Sequence, residues 1–179
     1  MPENSWQEKN ISGWPWLPDK CPPDKYFIDY MKEKAFTEKR ILHVGTGLHH
    51  QVGIDCCAMG HIVIGMTVSR EEVVSRVFRV DTDNYQVMYA NINTFDLDLL
   101  PQLDIVTLFH FGEMESDFGP VDTNVILRLL DKLDNEGYFF FYNRSAAWDR
   151  ARVAVKEIQE KGYIYHQETF EELEVYRKA

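Results

Sequence analysis

The sequence predicts an α/β protein, a mostly parallel sheet with helices on both faces, and three observations carry that expectation. Apolar, strand-like runs such as "RILHVG", "HIVIGM" and "DIVTLFHF" alternate with stretches of helical periodicity, as successive strand and helix units do. The first run ends in a glycine turn, "GTG", at the place where open α/β sheets hold their ligands. The last stretch, "YIYHQETFEELEVYRKA", contains two extended runs with no helix between them, which reads as a closing antiparallel pair.

Each element has its own signal. The opening "SWQEKNISGWPWLPDKCPP" is rich in Trp and Pro, so residues 1–22 are expected to form an irregular arm and residues 23–179 a single domain. After Pro22 and Pro23, Asp24 is placed to cap a helix with Phe27, Tyr30, Met31 and Ala35 on one face. "RILHVG" is the first strand, with a helix after its turn, and "HIVIGM" is the second. Ser69 and Glu72 form a capping box opening the helix "SREEVVSRVF", with Val73, Val74, Val77 and Phe78 as its buried stripe. "YQVMY" and "DIVTLFHF" supply the third and fourth strands. Val121 to Leu133 reads as a helix with Val121, Val125, Leu129 and Leu133 on one face, and Gly137 opens the fifth strand, "YFFFYN". The last helix is expected to start near Ser145, to bury Ala151, Ala154, Val155 and Ile158, and to stop at Gly162.

Composition narrows the function classes. A chain of 179 residues with 45% hydrophobic content can bury a core without disulfides or a structural metal. Cys21, Cys56 and Cys57 are odd in number and two are adjacent, so reduced thiols are expected. The balance of 29 acidic to 19 basic residues, net charge −10, opposes phosphate-dominated binding, and no nucleic-acid partner is expected. "MPENSWQEKN" lacks the apolar run of a signal peptide, and no later stretch reaches about 18 apolar residues, so the expectation is a cytoplasmic protein with no membrane partner. Oligomeric state is left open by the sequence.

The residues capable of chemistry fall in a few places. Gly45 and Gly47 would let a ligand approach backbone N–H groups. His49, His50, Cys56, Cys57 and His61 invite a metal, but neighbouring helical residues project about 100° apart, so such doublets do not chelate. No metal centre is expected; buried cysteines and one solvent-facing histidine are. Glu168, Glu171, Glu172 and Glu174 read as the solvated face of the closing hairpin.

In element order, from Lys39 to Arg177, the chain resembles the class I S-adenosylmethionine (SAM)-dependent methyltransferases. The resemblance implies a Rossmann-like methyltransferase fold, a seven-stranded, mostly parallel sheet with a C-terminal antiparallel hairpin. Gly45 and Gly47 align with the first two glycines of that family's turn, and His49 replaces the third. His43 stands where an acid is common, Thr67 where an acid usually binds the ribose hydroxyls, and Asn91 where an Asp near the adenine is common. "LDIVTLFHFGE" resembles the fourth strand, whose end faces the methyl group. The resemblance thus implies SAM as cofactor, lined by Gly45, Thr46, Gly47, His49, Thr67 and Asn91, and a small-molecule acceptor. His110 would act as a base with Glu113 orienting it or binding substrate. Two alternatives stand beside this: a non-catalytic binding or scaffold protein, favoured by His43, His49 and Thr67, and an enzyme using another adenosyl ligand. Trp6, Trp14 and Trp16 make the arm a candidate lid.

Overall fold

Two prolines start the first helix of the described residues. Cys21 is the N-cap of α1 (Pro22–Glu33), with Pro in the first turn, where a missing N–H costs nothing. The computed structural model describes residues 21–80, 82–109, 121–142 and 149–179. Along α1, Phe27, Tyr30 and Met31 are buried, as the periodicity predicts. Asp24 is not the cap: it lies inside the first turn and is fully buried. Ala35 is also misplaced by the periodicity, because the helix has ended and Ala35 sits exposed in a left-handed turn, φ 52°.

The alternation then runs as expected through β1 (Arg40–Val44), α2 (Gln51–Ala58), β2 (Ile62–Thr67), α3 (Arg70–Arg79), β3 (Tyr85–Tyr89) and β4 (Leu103–Leu108). It continues with α4 (Thr123–Lys132), β5 (Leu133–Tyr142), α5 (Asp149–Glu160), β6 (Ile164–Phe170) and β7 (Leu173–Lys178). The seven strands form one sheet in the order β3-β2-β1-β4-β5-β7-β6. Neighbours from β3 to β5 pair in parallel, and β7 inserts antiparallel between β5 and β6. The chain therefore steps one way from β1 to β2 and the other way to β4, so the topological switch point lies between β1 and β4.

Each face of the sheet has its own core. Phe139 and Phe141 point to the side covered by α4 and α5, with Leu129, Ala154 and Ile158. Phe140 points to the other side, where Phe27 and Tyr30 of α1 meet it edge-on at centroid distances of 4.9 and 5.1 Å. This aromatic clamp fixes α1, and with it Asp24, over β1 and β4. In α3, Val73 and Val74 are only partly covered and Val77 is 69% exposed; among the described side chains of the helix Ser75 is the buried one. The helix lies over β2 and the edge strand β3, so the sheet is too narrow there to cover the whole stripe. The side chain of Phe78 lies outside the described residues. All of Val121, Val125, Leu129 and Leu133 are buried, but α4 is capped by Asp122, whose carboxylate accepts from the Asn124 and Val125 amides, and Leu133 already pairs with Leu103. Ala151, Ala154, Val155 and Ile158 are buried and Gly162, φ 79°, takes the turn after α5. Ser145 and Asn143 lie outside the described residues. The hairpin acids are exposed or partly exposed, as expected, and two of them also take hydrogen bonds: Glu168 accepts from Tyr30 at 2.9 Å, and Glu172 from Tyr142 at 3.2 Å.

His61 packs at the start of β2, fully buried, with Nδ1 accepting the Lys39 amide at 3.0 Å. Burial, helped by the Lys39 charge, holds its pKa below the usual value. The folded state then favours the neutral ring, so this contribution to stability is complete above the unfolded pKa of about 6.5 and is lost as the pH falls from there through the depressed folded value. His61→Gln keeps an acceptor but cannot titrate. The stability gap between wild type and this variant, from urea denaturation, should shift against the wild type on moving from neutral to mildly acidic buffer; a gap independent of pH contradicts the assignment.

Candidate active site at the β1–β4 switch point

The turn after β1 is built by two glycines in the left-handed region, Gly45 at φ 84° and Gly47 at φ 66°. Gly45 donates its amide to Met66 of β2 at 2.8 Å, closing the turn onto the neighbouring strand. Thr46 between them is buried, and its hydroxyl donates to Glu72 Oε2 at 2.8 Å. Glu72 thus keeps only half of the predicted capping box: its amide is capped by Ser69 at 3.4 Å, but its carboxylate reaches across to the turn. Thr67, at the carboxyl end of β2, is buried and accepts the Ser69 amide at 3.0 Å. Asn91 lies just past β3 and accepts the Asn93 amide at 2.9 Å. His110 and Glu113 follow β4 in sequence and lie outside the described residues, as do Trp6, Trp14 and Trp16.

Both histidines of the doublet are buried, against the expectation of one facing solvent. His50 is the N-cap of α2 at φ 52°, so neither ring is placed by helical geometry. Its Nε2 lies 2.8 Å from the Glu72 carbonyl, an obligate acceptor, and 2.7 Å from Ser75 Oγ; Nδ1 lies 2.8 Å from the Tyr85 hydroxyl. Nε2 therefore carries a proton and donates, while Nδ1 meets the Tyr85 hydroxyl. Gly53 and Gly65 make room for that tyrosine: a Cβ on Gly53 would stand 2.5 Å from its ring, and one on Gly65 3.2 Å from its hydroxyl.

His49 does something different. Its Nδ1 accepts the Gln51 amide at 3.1 Å, which leaves the proton on Nε2, 3.3 Å from Asp24 Oδ2. The ring folds back over the turn, so a Cβ on Gly47 would come within 2.8 Å of Nε2. His43 approaches the other oxygen of the same carboxylate, Nε2 to Oδ1 3.9 Å, while its Nδ1 lies 2.7 Å from Thr107 Oγ1 on β4. A buried carboxylate is costly unless polar groups surround it, and here two imidazoles flank it at the switch point. Cys21 completes the group, its sulfur within 4.8 Å of both the Asp24 and His49 ligand atoms. Burial and the Asp24 charge push its thiol up to about 11, so it is protonated at neutral pH and is not an activated nucleophile.

Of the residues expected from sequence, Gly45, Thr46, Gly47 and His49 converge in one turn, with Thr67 and Asn91 at the ends of the next two strands. Asp24, Glu72 and Thr107 were missed. The available signal for Asp24 was a charged residue on the apolar stripe of α1, three before Phe27 and seven before Met31. For Glu72 the capping role absorbed the only local signal.

No family model and no curated protein sequence matches the chain. Solved structures do. A SAM-bound magnesium protoporphyrin IX methyltransferase from Synechocystis PCC 6803 superposes with TM-score 0.65 at 11% identity, covering 99% of this chain and 92% of that one. A TehB-like SAM-dependent methyltransferase from Corynebacterium glutamicum gives 0.66 at 12% identity, covering 97% and 94%. The N-methyltransferase NodS from Bradyrhizobium japonicum, in complex with S-adenosyl-L-homocysteine (SAH), gives 0.64 at 12%, covering 97% and 96%. With its sheet order and reversed seventh strand, the chain has the class I SAM-dependent methyltransferase fold.

Proposed function

We propose that the protein is a SAM-dependent methyltransferase acting on a small-molecule acceptor. The observation that carries this reading is the placement of two left-handed glycines, Gly45 and Gly47, at the β1 end of the switch point in a methyltransferase fold. The site residues fit an adenosyl ligand. Gly45, Thr46 and Gly47 bring backbone N–H groups to the turn, with the His49 ring over Gly47 forming part of the pocket wall, Thr67 and Asn91 stand at the ends of β2 and β3, and Glu72 brings to the turn the carboxylate that Thr67 lacks for the ribose hydroxyls. SAM, when bound, supplies a methyl group on a sulfonium centre. The chain's own work is to align an acceptor lone pair with that methyl, to exclude water, and to take a proton at His110 where the acceptor must lose one. Mass spectrometry of small molecules released from the purified protein tests the reading: SAM or SAH supports it, a different adenosyl compound favours an enzyme using that ligand, and no nucleoside at all favours a binding or scaffold protein.

We further propose that the arm, whose residues 1–20 lie outside the described residues, acts as a lid over this site. α1 starts at Pro22 with Cys21 as its cap, so removal of residues 1–20 spares the helix. That truncation is expected to leave thermal stability unchanged, to weaken SAH binding and to end turnover, because an open site admits water. Full affinity and turnover in the truncated protein, or its unfolding, would make the arm a packing element instead.

A further inference from the structure

We propose that Cys21, Asp24 and His49 form a binding site for a zinc-type divalent cation at the mouth of the β1–β4 crevice. Nothing in this proposal depends on the methyltransferase reading.

The donor set is a thiol, a carboxylate and an imidazole, whose ligand atoms all lie within 4.8 Å of one another. Around a tetrahedral zinc, with Zn–S near 2.3 Å and Zn–N or Zn–O near 2.0–2.2 Å, neighbouring ligand atoms stand about 3.5 Å apart; the pair His49 Nε2 and Asp24 Oδ2 is already at 3.3 Å. The three come from two rigid places. Cys21 and Asp24 are the N-cap and third residue of α1, and positions three apart face the same side of a helix. His49 is held in the glycine turn by the Gln51 amide. His43 lies near the ligands, its Nε2 3.9 Å from the other Asp24 oxygen. Asp24 and His49 are buried and Cys21 is half-buried, and a water molecule would complete a tetrahedral set. This is the three-ligand pattern of sites that keep a coordination position free. Of the cluster judged unsuitable from the sequence only His49 takes part; the three residues span positions 21 to 49, and no local spacing reveals them.

Charge and proton balance follow from the geometry. In the structure burial keeps the Cys21 thiol protonated, and the His49 proton lies on Nε2 because Nδ1 accepts the Gln51 amide. Binding a divalent cation converts the thiol to thiolate and releases that proton, while the imidazole proton moves from Nε2 to Nδ1. Two negative charges then meet two positive ones. The shift to Nδ1 has a local cost, since the Gln51 amide loses its acceptor, and that loss is a signature no adventitious surface site would give.

The test is a titration of the full chain with Co(II), followed by displacement with Zn(II). One equivalent of Co(II) is expected to produce a thiolate-to-cobalt charge-transfer band, which Zn(II) removes, and Zn(II) is expected to shift the Gln51 amide in a nitrogen–proton correlation spectrum. Cys21→Ser should abolish the band without unfolding the protein, because Ser is a preferred N-cap. His49→Gln should weaken binding at least tenfold, on the order of what even outer-shell changes cost at metal sites. Cys57→Ser should change nothing. No stoichiometric binding, a band that survives Cys21→Ser, or full affinity in His49→Gln would overturn the site.

Discussion

Gly47→Val is expected to abolish SAH binding. A β-branched side chain there faces two obstacles of different origin. The backbone sits at φ 66°, where a residue with a Cβ carries about 1–2 kcal/mol of strain, and the new Cβ would stand 2.8 Å from His49 Nε2, a ring held between Asp24 and the Gln51 amide. Loss of binding in the single variant could therefore come from a displaced ring or from a blocked ligand approach. The double variant Gly47→Val with His49→Gly separates them. It removes the ring, so melting temperature should recover part of what the single variant loses, while calorimetry still detects no SAH. Restored binding in the double variant would show that the ligand does not lie on this turn. His49→Gly alone restores the usual three-glycine pattern and is expected to bind SAH at least as well as the wild type.

His110→Ala is expected to reduce methyl transfer by about 10² to 10⁴, the range for a general base, with SAH affinity unchanged. The position follows β4 (Leu103–Leu108), whose end lies beside the switch point. The assay uses methyl-labelled SAM and an acceptor found by screening small amines, alcohols and thiols. A base leaves a second mark: the acidic limb of the pH–rate profile present in the wild type should vanish in the variant. Glu113→Gln should cost less than His110→Ala if the carboxylate orients the base. Equal loss of affinity and turnover in His110→Ala, with the acidic limb intact, would make His110 a cofactor contact and not a base.

How much of this was legible in the sequence depends on the range of the interaction concerned. The strands and helices were legible because periodicity is local: "RILHVG" and "YFFFYN" carry their own burial pattern, and β1 and β5 appear there. Ala35 and Val77 were misplaced because a hydrophobic stripe does not announce where its helix stops or where the sheet beneath it ends. The glycine turn was legible, since Gly45 and Gly47 do their work through their own φ angles. The polar floor of the site was not. Asp24 meets His43 and His49 only because Phe27 and Tyr30 clamp α1 onto Phe140, a contact that joins residues more than a hundred positions apart. The reading of the His doublet failed for a related reason: it assumed helical spacing, whereas His50 precedes the helix in a left-handed conformation.

The turn at Gly45 to Gly47 is proposed to hold an adenosyl ligand although His43, His49 and Thr67 replace the usual polar and glycine positions. Isothermal calorimetry of the full chain with SAH addresses it most directly. The expected result is saturable binding at one site per chain, weakened in Glu72→Gln by the loss of a ribose hydrogen bond, about 0.5–1.5 kcal/mol, and removed by Gly47→Val. An absence of heat up to millimolar SAH, in protein first shown to be folded and free of carried-over nucleoside, would contradict it.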